Sequence, residues 1–67
     1  MPSEIRFAEL RKRLEQSGWY LDRVRGSHHI FEKAGRPRVV IPVHKGKCKP
    51  VYGRIVEKAI KDDLEGR

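Results

Sequence analysis

The chain has a single cysteine, Cys48, so no internal disulfide can form and no cysteine-rich zinc set exists. A lone thiol that stays reduced fits the cytosol. Its three histidines have neither cysteine partners nor a His-x3-His spacing, which argues against a metal site, and no motif asks for a cofactor. Long apolar runs are missing as well. The longest, Val39-Val40-Ile41, is stopped by Pro42, far short of the roughly 20 residues needed to span a bilayer. The start, Met1-Pro2-Ser3-Glu4, lacks the basic and apolar regions of a secretory signal. These absences predict a cytoplasmic protein. No repeat, linker or low-complexity segment interrupts the 67 residues, which are too few for two cores, so one domain over 1–67 is expected.

What is plentiful is positive charge. Sixteen Lys and Arg against nine Asp and Glu give a formal net charge of +7. Such a balance favours polyanionic partners, nucleic acid first, because each cation that meets a phosphate releases condensed counterions and gains affinity without sequence readout. A domain this small buries only about 60% of the surface its unfolded chain exposes. A partner, or self-association into a homo-oligomer, would add stability.

The periodicity is clear at both ends. From Ser3 to Ser17, Phe7, Leu10 and Leu14 recur at helical spacing with Ile5 flanking them, Ser3 placed to cap, and Gly18 where a left-handed residue ends a helix. From Val51 onward, Tyr52, Ile55, Val56, Ala59 and Ile60 mark a second amphipathic helix, with Asp62 to Arg67 as a fraying tail. Between them lie three runs rich in aromatic and β-branched residues, Trp19–Arg25, His28–Lys33 and Arg38–Val43. Gly26-Ser27 and Ala34-Gly35-Arg36-Pro37 separate them as turns, and Pro42 places the third at an edge or a strand end. The order α-β-β-β-α predicts a two-layer α+β fold in which a three-stranded antiparallel sheet packs one face on two helices and leaves the other open.

Within this frame, Gly26-Ser27-His28-His29 stands out. Alternation sends His28, Ile30 and Glu32 to one face and His29, Phe31 and Lys33 to the other, so the two histidines have different jobs. Phe31 argues for burying the His29 face and Ile30 for the reverse. If Phe31 prevails, His28 lies on the open face beside the turn, where a ligand can reach it. Imidazole is the side chain suited to moving protons near neutral pH, and beside a basic surface it can activate the 2′-hydroxyl of RNA without a metal. Surface histidines after ordinary turns are also common. The basic segment His44-Lys45-Gly46-Lys47-Cys48-Lys49-Pro50 leads into the second helix, whose free N–H groups and dipole favour phosphate, so Lys45, Lys47 and Lys49 are the candidate phosphate contacts. Ser27 fits a phosphate contact or the turn itself, and His29 fits a structural role or that of orienting RNA. Trp19 and Phe31 suit the core better than base stacking. Cys48 is given no chemistry.

The run Gly26-Ser27-His28-His29-Ile30-Phe31, preceded by Ser17-Gly18-Trp19-Tyr20-Leu21 and followed by Val40-Ile41-Pro42-Val43-His44-Lys45 and Ile55-Val56-Glu57-Lys58-Ala59, resembles the HicA family of bacterial toxins. The resemblance implies a double-stranded-RNA-binding-like fold and the toxin of a type II toxin–antitoxin pair. It further implies an mRNA interferase, that is, an endoribonuclease of the stress response, silenced by a HicB-type antitoxin in a hetero-oligomer. It carries the family's catalytic histidine onto His28. The start of the second helix departs from the family's Pro-x-Gly-Thr-Leu-type pattern, reading Lys49-Pro50-Val51-Tyr52-Gly53. His28 as general base needs an acid for the leaving group, from itself by a shuttle, from water or from His44. The competing reading is a non-catalytic double-stranded-RNA-binding module that uses the same basic segment.

Overall fold

A computed structural model of the chain describes residues 4–66. Strand β1 (Ile5–Arg6) runs straight into helix α1 (Phe7–Gln16). Then come β2 (Tyr20–Arg25), β3 (His28–Glu32) and β4 (Val39–Pro42), a short β5 (Lys47–Cys48) and helix α2 (Pro50–Leu64). The strands β2-β3-β4 form an antiparallel meander, as the turn spacing predicts, and β1 pairs with β5 in a separate two-stranded sheet. The architecture is α+β, two helices on one face of a three-stranded sheet.

Both helices deliver their apolar stripes to one cluster. Phe7, Leu10 and Leu14 of α1 meet Val56 and Ile60 of α2, with Trp19, Phe31, Val39, Ile41 and Cys48 completing it. Leu14, Phe31, Ile41 and Val56 are fully buried. Removing a side chain of this size from water contributes about 1.5–3 kcal/mol, so the few such residues carry much of the fold. Trp19 and Phe31 are therefore core residues. Ile55, which the helical period suggests for the same stripe, is 41% exposed beside it.

Three local expectations are corrected. Helix α1 begins at Phe7 rather than near Ser3, because Ile5 and Arg6 extend and pair with Cys48 and Lys47. The Phe7 N–H, which a helix start leaves unpaired, donates to the Gly46 carbonyl at 2.9 Å, so a main-chain contact replaces the side-chain cap; Ser3 lies outside the described residues. The basic segment is a structured hairpin rather than a loop. His44 and Lys47 exchange two N–H···O bonds of 2.9 Å, and Lys45 (φ 53) with Gly46 (φ 76) forms the left-handed pair of a type I′ turn. Finally, α2 continues to Leu64 instead of fraying from Asp62. Asp63 accepts from Lys33 and lies 3.7 Å from Arg36, which ties the last helical turn to the end of β3.

The same Lys33 donates to the Ser17 carbonyl at 2.7 Å, closing the C-terminus of α1, while Gly18 takes the expected left-handed conformation at φ +90. Arg13 of α1 grips Glu57 of α2 through two bonds, of 2.9 and 2.6 Å. This pair, with its hydrogen bonds first, holds the Glu57 carboxyl below its usual range and raises the Arg13 guanidinium.

Candidate active site

The register of the meander decides which face each histidine takes. Phe31 and Ile30 are both buried, but only Phe31 joins the cluster packed against the helices, so Phe31 sets the core face. His29 follows it. It is half-buried, with its ring 4.5 Å from that of Phe7 and its Nδ1 3.3 Å from the Ser27 carbonyl. A carbonyl only accepts, so this contact selects the tautomer carrying a proton on Nδ1. His29 thus packs beneath the turn.

His28 is exposed on the opposite face. Its turn is tight: Gly26 sits at φ +61 as the first of two turn residues, a conformation that favours glycine, and the Ser27 carbonyl accepts from the Val43 N–H at 2.8 Å. Ser27 is thereby held by its backbone in the turn. His28 lies opposite Arg25 on one side and Pro42 on the other.

Arg25 is the residue that sequence reasoning missed. A bulge at Asp22 shifts the pairing of β2 with β3, so that Tyr20 opposes Glu32 but Arg23 opposes Ile30. On the turn side of the bulge Arg23 opposes Ile30 and Arg25 opposes His28, so Arg23 and Arg25 share the face of His28, since cross-strand partners point the same way. The signal in the sequence was the Gly-Ser pair itself, because a two-residue turn makes its flanking residues, Arg25 and His28, partners. Among the described residues, neither side chain is engaged in an ion pair.

On the other side of His28, Pro42 borders a cleft of about 170 Å³ that His44, Lys47, Lys49 and Tyr52 also line. The two-strand ladder thus brings the histidine turn and the basic hairpin to the same end of the molecule. Lys45 crowns the hairpin, and Lys49 occupies the N-cap of α2 with Pro50 behind it, no acidic residue in the first turn and no side-chain cap. His44 is exposed, two residues past Pro42, and makes no ring contact or hydrogen bond with His28. Cys48 is buried, and that burial, followed by the charge of Glu4, pushes its thiol upward. It is a core residue, consistent with its lack of an assigned reaction. No three His, Cys, Asp or Glu side chains among the described residues gather as a metal-binding group. No helix among them is long and apolar enough to cross a membrane.

A three-stranded meander backed by two helices, with an imidazole exposed at a tight turn and a lysine-rich hairpin beside it, defines a protein of the double-stranded-RNA-binding-like class. The family described as "HicA toxin of bacterial toxin-antitoxin" matches residues 7–61, and the chain belongs to that family. Searches of curated proteins and of solved structures found no match.

Proposed function

We propose that the chain is the endoribonuclease of a type II toxin–antitoxin pair, cleaving mRNA in the cytoplasm with His28 as its general acid–base group. Membership of the family makes it a toxin with an antitoxin partner. The nuclease reading rests on one observation above the others: His28 is exposed directly opposite Arg25, at the end of the sheet where the basic hairpin also lies.

In this mechanism His28 takes the proton of a ribose 2′-OH, and the 2′ oxygen attacks the adjacent phosphorus. The P–O5′ bond breaks, O5′ leaves with a proton, and a 2′,3′-cyclic phosphate remains. The departing proton comes from His28 by a shuttle, from water or from His44. A positioned acid–base group supplies about 10²–10⁴-fold, so the remainder falls to charge and position. Arg25 supplies a planar cation at the scissile phosphate. Lys45, Lys47, Lys49 and the α2 N-terminus hold the flanking backbone, and Ser27 keeps the turn in place. A HicB-type antitoxin that covers this end abolishes cleavage in the complex.

The direct test is an RNA oligonucleotide against its counterpart carrying 2′-deoxyribose at the cleaved position. The proposal expects cleavage of the first alone. Cutting of both excludes attack by the 2′ oxygen, and cutting of neither favours a module that only binds RNA.

A further inference from the structure

A second groove lies away from His28. It is a groove of about 450 Å³ between α2 and the start of β4, walled by Trp19, Pro37, Val39, Ile55 and Ala59. Val39 stands opposite Phe31, three residues along β4 from Pro42 and His28. At the rise of a strand that is about 10 Å from the histidine. The walls are apolar, which suits protein side chains better than a phosphate backbone.

Beside the groove, β4 has an edge that is unpaired among the described residues. The bond from the Val43 N–H to the Ser27 carbonyl makes that pair a hydrogen-bonded one. By antiparallel alternation Ile41 and Val39 also bond toward β3, so the N–H and C=O of Val40 point outward. Pro42 falls at the next outward position, where its missing N–H costs the sheet nothing. The other edge, on β2, is broken by the bulge at Asp22, a device that discourages pairing. The regular edge is thus the one with an apolar groove alongside.

Three cations, Arg36, Arg38 and Lys58, line the same groove with Asp62; Lys58 pairs with Asp62 at 3.2 Å, and Arg36 and Arg38 pair at 3.7 and 4.0 Å with Asp63 and Glu32. With a net charge of +7 the chain repels a second copy of itself, and an acidic segment is the complement. Trp19 reaches the wall from the core, and its buried indole N–H has no partner among the described residues.

We propose that this edge and groove form an anchoring site for the antitoxin: an extended acidic segment adds a strand to β4 through Val40 and sets an apolar side chain between Val39 and Ile55. Strand addition supplies affinity through the backbone and specificity through alternate side chains. The site lies apart from His28, so the antitoxin is held by one surface and masks another. This rests on the toxin–antitoxin pairing but not on the nuclease chemistry.

The test uses the full chain with its cognate antitoxin co-expressed, and the variants Ile55→Asp and Lys58→Glu, both at exposed positions. Antitoxin affinity is expected to fall at least tenfold in each, with RNA affinity and the circular dichroism spectrum unchanged. In the wild-type complex the Val40 amide should gain protection from hydrogen exchange, and the emission of Trp19 should shift. Unchanged antitoxin affinity in both variants with an unprotected Val40 amide overturns the proposal. Loss of RNA affinity with normal antitoxin binding also overturns it and gives the groove to RNA. Neither reading depends on cleavage, so an inactive His28 leaves the result intact.

Discussion

Arg25 and His28 face each other as cross-strand partners, and the two-residue Gly26-Ser27 turn is what pairs them. A cation and an imidazole on adjacent strands lie within reach of one phosphodiester. The consequence is that Arg25→Ala should lower kcat by about 10–10²-fold, the range for one charge stabiliser at a partly solvated site, with the circular dichroism spectrum unchanged. Arg25→Lys should recover part of it. A steady-state assay on a short RNA measures both; equal rates in all three proteins remove Arg25 from the site.

Lys45 occupies a left-handed position at φ 53, a conformation costly for a lysine and tolerated by asparagine. Lys45→Asn should therefore stabilise the fold, by something of order 1 kcal/mol in urea unfolding. It should at the same time weaken RNA binding and reduce the salt slope by about 0.7, the value for one phosphate contact on a single strand. A stabilised variant with an unchanged salt slope removes Lys45 from the RNA surface.

Gly53 marks how closely β1 approaches α2, since a Cβ there would lie 2.7 Å from Cδ1 of Ile5. Alanine gains about 1 kcal/mol of helix propensity at such a site, and the contact with Ile5 opposes it. In an Ile5→Val background, which removes the contacting carbon, Gly53→Ala should be more favourable than in the wild type. Urea midpoints of the four proteins give the coupling, and strict additivity refutes the contact.

The Arg13–Glu57 pair predicts a pH dependence with a definite sign. Its hydrogen bonds hold the folded Glu57 carboxyl below the unfolded value, so its contribution is present above the ordinary glutamate range. That contribution is lost as pH falls through the folded value. Glu57→Gln should thus be less stable than the wild type at pH 7, with the gap closing in acid; a gap that persists at pH 2 contradicts it. Both groups are largely exposed, so the effect is small.

Much of this was legible in the residues. Phe7, Leu10 and Leu14 at helical spacing and Gly26-Ser27 between two β-rich runs specify local structure, and local structure reads from local sequence. What was not legible depends on distant partners. Ile5 continues a helical stripe on paper, yet it extends because Cys48 offers a backbone to pair with. The end of α2 reads as a charged tail until Lys33 and Arg36 arrive to hold Asp63. Lys45-Gly46 lacks the asparagine or aspartate usual before glycine in a type I′ turn, so its hairpin was hidden. At the site, His28 was readable from its motif and alternation, whereas Arg25 was missed although the two-residue turn that pairs it with His28 was in view.

The role of His28 is tested most directly by comparing RNA cleavage by the metal-free wild type and by His28→Ala, with product ends analysed and folding of both verified. Cleavage by the wild type alone, leaving 2′,3′-cyclic phosphate, is the predicted result. Cleavage by His28→Ala at the wild-type rate would contradict it and take the histidine turn out of the chemistry.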